Sequence, residues 1–424
     1  MSDKPVIIIG GGLAGVSTLY ELVSRGVPAV LLDAGPAVAD GASHANGGVL
    51  HPSLPDPWNN PGIGRTLFAS LFDPTAPMKL HVSQLPNLIT WGLDFLRNSA
   101  PARHKAITQA NFNLAHYSTR QTDALRQHLN LQFEHATPGT LKLVRTPKEQ
   151  ADALDMAEML SAQGLRYEAL DRSALLAREP TLSQAKEPLQ GALYFPDDRV
   201  GNARLFCAAL LAEAEKRGGV ARFNTHVTRL VLADGRVAGV QLGEEVLHGD
   251  VVLCAGAHSA ALAKRVGVSL AIRPAKGYSL TLSAGGLDAP LTHPIVDPQL
   301  HIAVTPLGEK IRILGMAEFA GFDNHVVPSR VAMLRHFFEQ LLPDMADGLD
   351  WQQGEAWAGL RPMSADGRPV IGESQCEGLW LNCGHGHLGW TMAVGSARLM
   401  ADIYMGRKPE IAAEAFSSLR RNVV

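Results

Sequence analysis

The twelve residues Leu381–Met392, LNCGHGHLGWTM, gather reactive side chains and glycines in one short run. Cys383, His385 and His387 could ligate a metal or supply a nucleophile. Gly384, Gly386 and Gly389 could instead shape a backbone that passes close to something large. A zinc site wants three or four ligands. Two histidines separated by one glycine, with no carboxylate nearby in sequence, make a poor one, and no metal is expected. Cys383 has no distinct partner arrangement to activate it. Backbone geometry is the better reading. GLWLNC reads as a strand ending at Gly384, and a helix begins near Gly389, after Leu388.

A second such run stands at the other end of the chain. Gly10-Gly11-Gly12-Leu13-Ala14-Gly15 fits G-x-G-x-x-G. Gly10 permits a tight turn, Gly12 lets backbone approach a pyrophosphate, and Gly15 lets a helix pack on a strand. The helix start, with Leu13 and Ala14, offers N–H groups and positive dipole to phosphates. Asp33, about 20 residues on, can accept hydrogen bonds from an adenosine ribose. The pattern predicts a dinucleotide-binding βαβ unit.

The elements that position these residues are also legible. Val6–Ile9 is fully apolar and β-branched, as in a buried parallel strand. A helical pattern follows it and ends at Gly26, and PAVLLD forms a second strand. The loop GASHANGG, 41–48, is small and polar, so Ser43, Asn46, Gly47 and Gly48 could lie close to a large flat ligand. Residues 58–135 read as mainly helical, GTLKLVRT as a strand, and 147–164 as a helix closed by Gly164. From 191 the chain gives a strand, a polar loop and a helix. Strands and turns then alternate, with a hairpin at ADGR and an apolar strand running into Ala255-Gly256. In LHIAVTPLGEKIRILG the turn is expected at Pro306–Glu309, with Thr305 opposite Lys310. Ile302, Val304, Ile311 and Ile313 would share one face, and His301 and Arg312 would lie close together on the other.

The 424 residues are 46% hydrophobic and 19% charged, a globular composition that suggests two or three domains. A net charge of -3 without a basic stripe argues against nucleic acid as a partner. Four scattered cysteines without a C-x-x-C pair indicate a reduced compartment. No signal peptide or transmembrane stretch is expected. A cytoplasmic location follows, with peripheral contact at the inner face of the cell membrane left open, as is a homo-oligomer.

The runs IIIGGGLAGVSTLYELVSRG, GASHANGGVLHPSLPDPW, VVLCAGAHS, PAKGYSLTL, IRILGMAEF, WAGLRPMSADGRPVIG and LNCGHGHLGWTMAVGSARLMADI together resemble the D-amino-acid dehydrogenase family. That family belongs to the wider group of flavoproteins that includes D-amino-acid oxidase, glycine oxidase and sarcosine oxidase. The resemblance spans essentially the whole chain. It implies an α/β fold in which a Rossmann-like FAD-binding domain interleaves with a mixed-sheet, α+β substrate domain capped by helices. The expected boundaries are 1–60, 196–268 and 355–424 for the first, and 61–195 and 269–354 for the second. It implies FAD, held without a covalent bond since no attachment cysteine is recognised, with Ala34, Val227 and the 384–389 run added to the flavin contacts. The helix start near Gly389 would point donors at the flavin N1–C2=O edge.

The resemblance also implies a reaction: hydride transfer from the substrate Cα to flavin N5, then hydrolysis of the imine to a 2-oxo acid and ammonia. Electrons would leave to a quinone or another carrier rather than oxygen. Arg361 offers a guanidinium fork for the substrate carboxylate, and Tyr278 could add a phenol hydrogen bond. His51 and His387 replace residues common in the family and bear on substrate range. Glycine, sarcosine, D-proline-type or opine-type amines are alternative substrates, and a non-catalytic flavin-binding subunit is another alternative. Residues 58–72 are expected to cover the pocket, with membrane contact as the competing role.

Overall fold

The computed structural model describes residues 4–70 and 76–420. Val6–Ile9 is buried at all four positions. It pairs in parallel with Ala29–Leu32 on one side and Val251–Leu253 on the other. Val220–Arg222 and Leu379–Cys383 extend this sheet in parallel, and Val370–Glu373 closes one edge antiparallel, making six strands. Helices Leu13–Val23 and Gly389–Tyr404 pack together on it, with Val16, Leu19, Phe206 and Met392 in their shared core.

The glycine turn is dictated by crowding. A Cβ on Gly10 would overlap the Cys254 carbonyl, and one on Gly15 would overlap the carbonyl of Gly10. Gly10 also sits at φ +118°, where L side chains are strained. The hairpin at ADGR forms as expected. Ala233 pairs with Arg236, and Asp234 and Gly235 both take positive φ, as a two-residue I′ turn requires.

A nine-stranded sheet makes the second half. Its long members are Ile272–Ser283, Lys310–Phe319 and Glu355–Ser364. One face carries Leu280, Val304 and Ile313 under helix Pro328–Leu341, whose Leu334 and Phe338 are fully buried. The opposite face looks toward the six-stranded sheet.

Two boundaries differ from expectation. Glu355–Ser364, expected in the dinucleotide-binding half, is the antiparallel partner of Ile272–Ser283 along its full length and so belongs to the large sheet. Helix Pro101–Leu129, expected in the other half, buries Leu114 and Ala115 against the helix at Gly389–Tyr404. The Gly395 amide donates to Ser118 Oγ there at 2.9 Å. The two halves therefore share a packed helix pair. Among the described residues, no helix is long and apolar enough to cross a membrane.

Candidate active site

A cavity of about 1640 Å³ opens between the two sheets. Its floor is one transverse row of the large sheet: Trp357, Ser279, Leu314, Ala303, Val296 and Lys142, each opposite the next on neighbouring strands. Strand alternation puts these side chains on the face away from the helix-covered core.

At one end the cavity meets the glycine turn. Gly10, Gly12, Leu13 and Ala14 line it, with Asp33 and Ala34 beside them. A Cβ on Gly12 would meet only the Ser43 hydroxyl, at 3.1 Å, so backbone is bare toward the cavity. The amides of Gly12 and Ala14 have no acceptor among the described residues. Asp33 is already engaged. It accepts the Gly11 amide on one oxygen and the Gly35 amide on the other, the latter at 2.7 Å. Its carboxylate thus fixes both turns, and each oxygen keeps a second lone pair for a ligand.

In the middle, the 45–48 loop lies on the sheet. Ser279 Oγ donates to the Ala45 carbonyl at 2.9 Å, Arg312 Nη1 to the Asn46 carbonyl at 2.9 Å, and Thr305 Oγ1 to the Gly47 carbonyl at 2.8 Å. Val227, Ala255 and Gly256 line the opposite wall.

At the far end, the Arg361 guanidinium lies 5.5 Å from the centre of the Trp58 ring and donates to the Met316 carbonyl at 3.0 Å. Trp58 stacks on His387 at 5.5 Å. His51 and Asp56 stand close enough to His387 to act on its charge. Arg361 has no carboxylate partner among the described residues. Burial lowers it to about 10, so it stays charged at neutral pH. Burial likewise holds His51 and His387 down at about 4, so both are neutral. The far end is thus a cation beside two neutral imidazoles and an indole face. It suits a small molecule with a carboxylate and an amine.

A profile of the FAD dependent oxidoreductase (DAO) family matches residues 5–403. The chain belongs to this family. It is 36% identical to the D-amino acid dehydrogenase of Methylobacterium nodulans over 417 residues, 98% of each chain. It is 37% identical to that of Cereibacter sphaeroides over 408 residues, 96% of this chain and 93% of the other. In fold it is similar to glycine oxidase from Geobacillus kaustophilus, with a TM-score of 0.75 at 24% identity and 98% of each chain covered. L-proline dehydrogenase from P. horikoshii gives 0.78 at 15% identity, covering 98% of this chain and 97% of that one.

The residues present fit the family's FAD. The cavity exceeds the ~300–1,000 Å³ of ordinary ligand pockets, as a dinucleotide plus substrate requires. The bare glycine turn and its free amides suit a pyrophosphate. Of the expected cofactor residues, Gly15, Gly48, Gly384 and Leu388 do not reach the cavity. Gly15 packs on Gly10, Gly48 on Leu307 and Gly384 on Ile272, while Leu388 is in the core. Ser43, Asn46, Gly47, His385, Gly386 and Gly389 do line it. His385 turns its Nε2 to Ser396 Oγ at 3.0 Å, so its ring braces the following helix.

Three substrate-side expectations are corrected. The hairpin turns at Gly308-Glu309, with Leu307 opposite Lys310 and Thr305 opposite Arg312. Gly308, at φ +57°, permits the two-residue turn. The register moves by two, so Ile302, Val304, Ile311 and Ile313 keep one buried face, but His301 leaves the ladder. It sits at φ 54° on the cavity rim, apart from Arg312. Arg312 is buried beneath the 45–48 loop and does not line the cavity. Tyr278 lines the cavity, but its side chain alternates to the face opposite Gly277 and donates to Glu318 Oε2 at 3.1 Å, beside Lys276. Its hydroxyl proton is not free for a substrate carboxylate.

Trp58 and Asp56 were not singled out from the sequence. Their signal was weak: one aromatic and one acid among the prolines of PSLPDPW. Residues 58, 60–63 and 65 line the cavity as the expected cover, and residues 71 and 72 of that segment lie outside the described residues.

Proposed function

We propose that this chain oxidises D-amino acids to 2-oxo acids and ammonia with non-covalently bound FAD, passing electrons to a carrier other than oxygen, such as a quinone. The observation that carries the reading is Arg361, a cation in the cavity wall without a carboxylate partner. A half-buried charge without a counter-ion is costly, and a substrate carboxylate relieves that cost while the fork fixes its orientation. The relatives named D-amino acid dehydrogenase, at 36% and 37% identity, support the substrate class.

FAD, when bound, supplies the hydride acceptor. The chain supplies position and electrostatics. Arg361 holds the carboxylate. His51 and His387, being neutral, accept hydrogen bonds from the amine without repelling it, and favour polar or cyclic side chains. Trp58 and Met316 keep water from the reacting end. The helix beginning at Gly389 turns its positive end toward the cavity. With the carboxylate and the Cα–H both fixed, the L enantiomer misplaces its hydrogen or its side chain, at a cost of several kcal/mol.

The test is anaerobic mixing with each enantiomer of an amino-acid panel, following flavin absorbance. Bleaching by D amino acids is expected. Bleaching by L amino acids only overturns the stereochemistry. Bleaching by glycine or N-methylglycine only moves the chain to a glycine or sarcosine substrate. A parallel assay with an artificial dye and with oxygen identifies the class of acceptor.

A further inference from the structure

The three carbonyls of Ala45, Asn46 and Gly47 point the same way, onto the large sheet, each taken by a different side chain of that sheet. A trans peptide points its N–H opposite to its C=O. The amides of Asn46 and Gly47, which share peptide planes with the first two carbonyls, therefore point away from the sheet. Both residues line the cavity, and neither amide has an acceptor among the described residues. The third amide, of Gly48, is turned back to Asn46 Oδ1 at 3.1 Å. Two adjacent donors thus face the cavity from a backbone with no helix or ladder of its own to hold it.

Arg312 is the unusual member of the clamp. It is 7% exposed, and its hydrogen bonds go to the neutral Thr281 hydroxyl, at 2.9 Å, and to the Asn46 carbonyl. Among the described residues it forms no ion pair. Glu134 and Glu355 act on it only at longer range, and burial lowers its pKa. A neutral donor could have held a carbonyl without burying a charge. The positive charge lies directly beneath the peptide whose N–H faces the cavity.

We propose that Arg312 is a positioning residue for the flavin: with Ser279 and Thr305 it aims the Asn46 and Gly47 amides at acceptor atoms of the ring, and its charge favours flavin reduction. This rests on FAD occupying the cavity as proposed above. The residue acts through the loop and does not touch substrate.

The test measures the flavin reduction potential of the FAD-loaded protein by dye equilibration, with its visible spectrum, in the wild type, Arg312→Met, Arg312→Lys and Thr305→Val. Arg312→Met should shift the reduction equilibrium at least tenfold toward oxidised flavin, about 30 mV for a two-electron couple, and should alter the spectrum. Arg312→Lys should recover most of the potential, since it keeps the charge. Thr305→Val, close to isosteric, should change the spectrum by loosening one carbonyl. An Arg312→Met protein with wild-type spectrum and potential overturns the proposal. If Arg312→Met does not fold, an unchanged Thr305→Val spectrum overturns the clamp, and an unchanged Arg312→Lys potential combined with a changed Thr305→Val spectrum supports it. A wild-type protein that binds no flavin refutes the FAD reading itself, a separate outcome.

Discussion

Gly277 and Arg361 occupy one space: a Cβ on Gly277 would overlap the Arg361 guanidinium. The strand Ile272–Ser283 leaves a gap in its side-chain row, and the arginine from the neighbouring strand lies in it. The main chain of Gly277 is therefore part of the seat that points the guanidinium at Trp58 and the cavity. Gly277→Ala should displace Arg361 without removing it. Substrate kcat/KM should fall by up to about 100-fold, the cost of misplacing a positioning group by about 1 Å. Flavin content should stay near the wild-type level. A perturbation of the flavin spectrum by benzoate, weakened in the mutant, would report the lost carboxylate seat independently of turnover.

Removing the arginine tests the seat's occupant. Arg361→Met should cost about 2–5 kcal/mol in kcat/KM, because the substrate carboxylate would lose a desolvated partner. Thermal stability should hold or rise, since a half-buried charge without a protein carboxylate is destabilising before substrate arrives. Wild-type kcat/KM in this mutant would remove Arg361 from the site.

Acid precipitation should release the flavin as free FAD. Cys254 and Cys383 both line the cavity, but burial pushes the Cys383 thiol up to about 12 and raises Cys254 as well. Neither is a thiolate at neutral pH, and attachment through sulfur needs one. Yellow colour remaining in the washed pellet would show a covalent link.

The sequence was most legible where one residue type has one use. Gly10, Gly12 and Gly15 have little reason to recur at that spacing beyond the turn they make, and the strand and helix around them followed. The hairpin at Asp234-Gly235 was legible for the same reason. Arg312 was not. Its strand pattern placed it on the correct face, but the same face is cavity at Leu314 and covered by the 45–48 loop at Arg312. Only the tertiary position of a loop more than 250 residues away decides between them. Tyr278 was legible only in part. It lines the cavity as expected, but its hydroxyl proton is taken by Glu318, forty residues on, a pairing that depends on how the strands Ile272–Ser283 and Lys310–Phe319 meet. Trp58 needed the same long-range knowledge, since its neighbours in the site come from positions 361 and 387.

The two imidazoles at the substrate end do not titrate in the physiological range. His51 and His387 are held at about 4 by burial, below their ordinary 6.5. The rate of flavin reduction by substrate should therefore show no imidazole titration between pH 5 and 8. Stability should show one. Between pH 6.5 and 4 the unfolded chain takes up protons that the folded chain refuses, so stability is present above 6.5 and lost on acidification through that window. Urea unfolding of wild type and His51→Asn/His387→Asn at pH 5 and pH 7 measures it. The pH difference should shrink in the double mutant, and an equal difference would show that these imidazoles are protonated in the folded state.

Asp198 carries the opposite dependence. It is 1% exposed and accepts Ser53 Oγ at 2.6 Å, with the Thr140 side chain and the Ser53 amide also acting on it. Burial raises it from 3.8 to about 7. The folded chain then holds a proton that the unfolded chain has released, so this contribution is full below pH 4 and is lost as pH rises toward 7. Across that window the loss amounts to roughly 4 kcal/mol. Ser53 belongs to the 51–54 segment, whose His51 and Leu54 line the cavity, so ionisation of Asp198 would disturb the substrate end as well as the fold. Asp198→Asn keeps an acceptor for Ser53 and cannot ionise. Measured by urea unfolding at pH 5 and pH 8, the mutant should gain stability relative to wild type as pH rises. The change in that difference isolates Asp198 from the histidines, which are common to both proteins. A difference independent of pH would mean that Asp198 is ionised throughout.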